Sequence, residues 1–293
     1  MGTELDSRGV DTHDPLWSAL ALTTAPEAVH QVHTDYLKAG ARVITTNTYQ
    51  ATLPALLRAG HDAHRAREVI AAGARLAGEA ARRFEAEHPE AQLLIAGGLG
   101  PYGAYLADGS EYTGVYDVGA LDAPVFRDVH LPRIEMLAGE GIDLFALETL
   151  PRLDEAQALV GAVEDLAAES ECWVSFQVRP DGAHLADGTP LAEAAAWAAD
   201  QETVVAVGVN CVAPDVVARA LPVLREATTK PLVAYPNSGD LYDPATKTWK
   251  AGEEGDGLAA LAPSWGASGV RLIGGCCRTR PAQIRELAHA LSA

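Results

Sequence analysis

Apolar positions along the chain fall into two alternating patterns. Seven short, near-continuous apolar runs bounded by turn residues lie at Arg42–Thr46, Leu93–Leu99, Leu144–Thr149, Cys172–Val178, Val204–Cys211, Pro231–Pro236 and Val270–Gly275. Runs of this kind are expected of strands covered on both faces. Between them, apolar spacings of three and four predict helices over Ala25–Ala39, Asp62–Glu87, Pro124–Glu140, Leu153–Ala168, Pro190–Ala199, Pro214–Thr228, Gly257–Gly266 and Pro281–Leu291. Pro190, Pro214 and Pro281 open three of these, where a missing N–H costs nothing. Strand and helix in repeated alternation predict an α/β fold with a parallel sheet of βα units. Seven units are one short of an eight-stranded (β/α)8 TIM-type barrel, so a barrel lacking one strand is expected. No Pro/Ser-rich linker or break in composition divides the chain, and a single domain over residues 1–293 is the expectation.

Composition narrows the partners. With 48% hydrophobic residues the chain can bury a large core, and its 40 acidic against 22 basic residues give a net charge of -18. That charge repels a phosphate backbone or an anionic membrane, so nucleic acid is not an expected partner. No run of eighteen apolar residues occurs, and Met1–Val10 has neither a basic nor an apolar signal region. Neither a membrane span nor a secretory signal is expected, and the cytoplasm is the expected location.

The chain has 4 cysteines, too few and too unevenly placed for a disulfide framework. In a βα barrel the C-terminal ends of the strands converge on one catalytic face. Cys211 and Cys276 sit at such ends, as do Glu148, Asn47 and Asn237. Cys172 starts its strand, roughly 20 Å from that rim at about 3.3 Å per residue, and reads as a buried small hydrophobe. Three cysteines on one rim suit a zinc site with three thiolates and an open position. Consecutive residues of a strand face opposite ways, so Cys276 and Cys277 can share an ion only if the strand breaks, and Gly274-Gly275 supplies that freedom. On spacing alone, an inert or redox pair of adjacent cysteines stays equally open.

The wording of the motifs is more specific than their spacing. Gly208-Val209-Asn210-Cys211 and Gly274-Gly275-Cys276-Cys277-Arg278 resemble the paired zinc motifs of the homocysteine methyltransferase family, which includes betaine-homocysteine methyltransferase. The segments Asp14–Ala19, Thr45–Ala51, Gly100–Tyr112, Glu148–Pro151, His184–Thr189, Tyr235–Gly239 and Lys247–Trp249 resemble the branch that uses S-methylmethionine or S-adenosylmethionine. The resemblance runs from Met1 to about Leu291. It implies an eight-stranded barrel, Zn2+ held by Cys211, Cys276 and Cys277, and L-homocysteine as the fourth ligand, methylated to methionine. It also implies that Glu148 receives the homocysteine ammonium group.

Asn47, Asn210 and Asn237 are further candidates for substrate binding, with loop capping the competing role for asparagines so placed. A sulfonium donor favours aromatic faces, which makes Tyr49, Tyr102, Tyr235 and Trp249 candidate contacts; each could equally be packing. One departure stands out. Family members carry an upstream stretch that includes the first barrel strand and an Asp-Gly pair helping to hold homocysteine, and this sequence starts after it. The expectation is that Met1 is an internal methionine or that the chain was cut. Losing that hydrogen bond to a charged group would cost about 1.5–3 kcal/mol of substrate affinity.

Three other readings compete. Residues 98–103, Gly98-Leu99-Gly100-Pro101-Tyr102-Gly103, match the glycine spacing of an NAD(P)-dependent oxidoreductase, although Pro101 lies inside the motif and Ala107–Ser110 reads as a loop. A non-catalytic, structural zinc site would need a fourth protein ligand, for which His184 is the available histidine. A metal-free hydrolase would pair Glu148 with Asp143 or Glu155 and leaves the cysteines unexplained; Asp143 also precedes its strand.

Overall fold

The computed structural model describes residues 1–117, 119, 124–243, 248–250 and 257–292. The apolar runs form strands β1 (Val43–Thr45), β2 (Leu94–Leu99), β3 (Leu144–Leu150), β4 (Glu171–Phe176), β5 (Val204–Asn210) and β6 (Leu232–Tyr235). A hairpin of β7 (Leu241–Asp243) and β8 (Thr248–Lys250) follows, then β9 (Val270–Ile273). Strands β1 to β6 and β9 pair in parallel in that order, a seven-stranded sheet. Among the described residues β9 and β1 do not pair with each other, so the sheet is an open barrel with one strand position unfilled. The hairpin is invisible to the apolar pattern because each of its strands is only 3 residues long.

Alternation along the strands builds two cores. Ala96, Leu144, Ala146, Trp173, Ala206 and Val233 point to the inner face of the curled sheet and form one buried cluster. Their neighbours Phe145, Leu147, Cys172, Val174, Val207, Val209, Leu232 and Ala234 point outward into the larger cluster under the helices. Period-two alternation does this directly, since consecutive side chains leave opposite faces of a strand. The same parity carries the inner face of β3 from Leu144 and Ala146 to Glu148.

The surrounding helices are α1 (Gly2–Ser7), α2 (Pro26–Lys38), α3 (Ala63–Glu87), α4 (Pro124–Gly139), α5 (Leu153–Leu166), α6 (Leu191–Ala199), α7 (Pro214–Ala227), α8 (Leu258–Ala267) and α9 (Pro281–Ser292). The longest, α3, starts where the Asp62 carboxylate accepts from Arg65 N at 2.8 Å and buries Ala66, Val69, Ile70, Ala74, Ala77 and Ala81 on one stripe. None of the helices described is long and apolar enough to cross a membrane. The short α1 is tied to the segment before α9, where Arg280 bonds Thr3 O at 3.1 Å and Glu4 Oε2 at 2.8 Å. This places residues 1–8 beside the turn that carries Cys276 and Cys277.

Candidate metal centre and substrate cavity

Two strand ends bring the cysteines together. At the end of β5 the chain enters a left-handed turn at Cys211 (φ 54°), and Cys211 N bonds Tyr235 O at 3.0 Å. Strand β9 stops at Ile273, and Cys276 N then bonds Pro236 O at 2.7 Å while Thr279 N closes on Cys276 O at 3.2 Å. A Cβ at Gly275 would lie 2.2 Å from Thr279 Cγ2, so the turn tolerates only glycine there. With the strand broken in this way, adjacent cysteines can face one point.

The sulfurs of Cys211, Cys276 and Cys277 lie within 4.8 Å of one another, and Cys211 Sγ is 3.6 Å from Cys277 Sγ. A tetrahedral zinc with Zn–S bonds of about 2.3 Å spaces its sulfurs about 3.8 Å apart, so this donor set fits a thiolate-bound metal. Hydrogen bonds from Cys211 and then Cys276 hold the Cys277 thiol well below its ordinary pKa. Those to Cys276 and Cys277 push Cys211 well above its own. Thiols crowded like this cannot all ionise without a cation among them. Cys172, fully buried at the start of β4, takes no part, and burial pushes its thiol up to about 12.

The cysteines line a cavity of about 590 Å³, together with Glu148, Asn47, Tyr49 and Tyr235. The register of β3 against β4 shifts between Leu147 and Leu150, and Thr149 is left-handed (φ 62°), so Glu148 sits on a bulge that re-aims its side chain. Desolvation and then the Cys276 thiolate push its carboxyl up to about 8, against a lowering hydrogen bond from Tyr235. Tyr235 also accepts from Trp173 Nε1 at 3.0 Å across the inner face.

The three asparagines are held by the protein itself. Asn210 is fully buried, its Oδ1 accepting from Thr149 N at 2.8 Å and Ser175 Oγ at 2.6 Å and its Nδ2 donating to Thr149 Oγ1 at 2.8 Å. It therefore clamps the bulge beside Glu148. Asn237 donates to Cys211 O at 3.1 Å and accepts from Gly239 N at 2.8 Å, fixing the turn at the cysteine. Asn47 lines the cavity while its Nδ2 donates to Ser18 O at 2.8 Å.

The aromatic candidates divide. Tyr49 and Tyr235 line the cavity, whereas the Tyr102 ring is outside its lining and packs with Tyr105, Tyr116 and Phe126 at 5.4–5.8 Å. Trp249 lies on β8, and its side chain is outside the described residues. Trp17, Glu111 and Tyr112 also line the cavity. Sequence reading did not single them out, because a carboxylate or ring in a loop carries no periodic signal.

The geometry weighs against the competing chemistries. At the glycine motif, the helix that follows spans only Tyr102–Leu106, and its first N–H, Tyr102 N, is taken by Glu155 Oε1 at 2.5 Å. A Cβ at Gly103 would lie 2.5 Å from Glu111 N, so this glycine serves loop packing rather than a pyrophosphate. Glu155 itself is fully buried and also bonds the Tyr116 hydroxyl, leaving it no access to the cavity. Asp143 accepts from Ile95 N at 2.6 Å at the opposite strand end. His184 is surface-exposed and pairs with Asp181 Oδ2 at 2.8 Å, and among the described residues no histidine joins the cysteines.

Known proteins agree with this site. The profile of the Homocysteine S-methyltransferase family matches residues 1–291. Homocysteine S-methyltransferase of Escherichia coli (strain K12) is 46% identical over 291 residues, covering 98% of this chain and 92% of its own. Homocysteine S-methyltransferase YbgG of Bacillus subtilis (strain 168) is 41% identical over 292 residues, covering 98% and 91%. The solved structure of the homocysteine methyltransferase MmuM from Escherichia coli in its metallated form superimposes with a TM-score of 0.87 at 42% identity, covering 99% of this chain and 93% of that one. Three thiols gathered at the mouth of an α/β barrel, and likeness of this extent along nearly the whole length, place the chain in the homocysteine S-methyltransferase family.

Proposed function

We propose that this enzyme transfers a methyl group from a sulfonium donor, S-methylmethionine or S-adenosylmethionine, to the sulfur of L-homocysteine, giving methionine, with a zinc ion held by Cys211, Cys276 and Cys277. The observation that carries the reading is the convergence of three thiols within 4.8 Å on a cavity large enough for two amino-acid substrates. Zinc bound there would keep the homocysteine sulfur deprotonated at neutral pH, where a free thiol of pKa about 8.5 is only a few per cent ionised.

The protein's own residues supply the rest. Among the described residues Glu148 forms no ion pair with a basic side chain, and desolvation outweighs the pull of the N-terminal amine, so the homocysteine ammonium group supplies the charge it needs. Asn210 holds Thr149 and hence the bulge that aims Glu148, while Asn237 holds the backbone of Cys211. Methyl transfer needs no proton shuttle: the donor's C–S bond breaks, the homocysteine sulfur forms the new one, and the donor leaves as a neutral thioether. A net charge of -18 and the rings of Tyr49 and Tyr235 favour a cationic donor.

The test is a methyl-transfer assay with homocysteine and, in turn, S-methylmethionine, S-adenosylmethionine and betaine, on zinc-loaded and chelated protein. Activity is expected with one or both sulfonium donors, lost on chelation and restored by zinc. Equal activity without metal would overturn the mechanism.

A further inference from the structure

Glu111 lines the same cavity and has no part in the chemistry above. It sits in the single turn Ser110–Tyr112, is only 9% exposed, and its Oε2 has no hydrogen-bond partner among the described residues. The turn is rigidly set. Ala107 (φ 57°) and Gly109 (φ 88°) are left-handed, Asp108 Oδ1 accepts from Ser110 N at 2.9 Å, and Gly103 packs directly beneath Glu111 N. The carboxylate is thus held in place by backbone N–H groups, and among the described residues by no basic side chain. A buried carboxylate with an unused oxygen is unfavourable until a cation meets it.

The position of Glu111 says which cation. The phenols of Tyr49 and Tyr112 each feel both the Glu111 carboxylate and the Cys211 thiol. Glu111 is not part of the group of ligand atoms within 4.8 Å of one another that the three thiols form, so it borders the same rings but is set back from the thiol cluster. A donor must aim its sulfonium methyl at the sulfur to be methylated, which directs the remainder of the molecule away from the cysteines. In an amino-acid sulfonium the ammonium group is several bonds from the reacting sulfur. A carboxylate set back from the thiols meets that group rather than the sulfonium, where it would compete for the methyl.

We propose that Glu111 binds the ammonium group of the methyl donor and thereby selects donors that are amino acids. The inference rests on the functional reading above and adds a second ammonium site to it: Glu148 serves homocysteine and Glu111 the donor. Desolvation, with a smaller contribution from Asp108, lifts the Glu111 carboxyl to about 7, the behaviour of a carboxylate waiting for its counter-charge.

The zinc-loaded enzyme is assayed with whichever of S-methylmethionine or S-adenosylmethionine it uses, and with the N-acetylated form of that donor, in wild type and Glu111→Gln. Wild type should prefer the free-amine donor at least about tenfold in kcat/KM, the range expected for a hydrogen bond to a charged group. Glu111→Gln should raise the KM of the free-amine donor at least about tenfold and abolish most of that preference, with homocysteine KM and zinc content unchanged. An unchanged donor KM, a preference that survives the substitution, or a parallel rise in homocysteine KM would overturn the assignment. If wild type transfers no methyl from any sulfonium, the functional reading fails first, before the variant is informative, and Glu111 loses its role with it.

Discussion

Two regions of this protein bury ionisable side chains, and they treat them in opposite ways. Behind the cavity wall, Arg133 is fully buried yet donates to Tyr49 O at 2.8 Å, Gly100 O at 3.0 Å, Val129 O at 3.0 Å and His130 Nδ1 at 2.7 Å. Burial pushes His130 down to about 4, so it is neutral, and its Nε2 lies 3.4 Å from Glu155 Oε1. Glu155 in turn accepts from Tyr102 N and the Tyr116 hydroxyl. Opposite charges and directed hydrogen bonds neutralise this cluster. At the mouth of the barrel, three thiols, Glu148 and Glu111 gather on one cavity, and among the described residues neither carboxylate forms an ion pair with a basic side chain. The first region balances its charges as folded; the second leaves its acidic groups without ion pairs among the described residues, as the proposed ligands would require. Incomplete chemistry on a rigid scaffold is what marks a functional site.

The contrast can be broken by substitution. The largest effect should come from replacing Cys211, Cys276 or Cys277 with alanine: zinc per chain falls to near zero and methyl transfer drops more than about a thousandfold. Metal analysis and the transfer assay check this, and the folded state should survive. Arg133→Met should do the reverse. Uncovering the acceptors around a buried charge should cost about 3–5 kcal/mol of stability in urea denaturation, with zinc retained by the folded fraction. Parity between these two variants in either readout would erase the distinction.

Finer substitutions sharpen it. Glu148→Gln should raise the homocysteine KM about 10–100-fold, with stability no lower than wild type, because a desolvated carboxylate is removed. Asn210→Ala, which frees Thr149 from its left-handed conformation, should cost about 1–3 kcal/mol and also weaken homocysteine binding, joining the two behaviours in one residue. The smallest effect is expected at Cys172. In reduced, metal-free protein iodoacetamide should label the rim cysteines and leave Cys172 untouched until unfolding, which peptide mass spectrometry reads out, since only the thiolate reacts.

Much of this was legible in the chain. Strong alternation of apolar runs and three-four spacings set the strands of the parallel sheet and the longer helices to within about two residues, because burial on both faces of a strand leaves a mark on each of its residues. Position along the strand likewise put Glu148 at the rim and Cys172 at the far end. The helices at Gly2–Ser7, Ala21–Thr24 and Leu53–Arg58, the hairpin of β7 and β8 and the short segments at 17–20, 102–106 and 110–112 escaped, being too short to show a period.

What sequence order determined, then, was the sheet, its direction, and which residues share the rim, since all of these follow from local hydrophobic period and from the common polarity of parallel strands. Tertiary structure alone decided which side chains face the cavity. It turned Tyr102 into a packing cluster and closed the amides of Asn210 and Asn237 on the backbone of Thr149 and Cys211. It also left Glu111 buried and unpartnered. Those outcomes depend on contacts between residues tens of positions apart, through bulges and left-handed turns whose energies no local pattern contains.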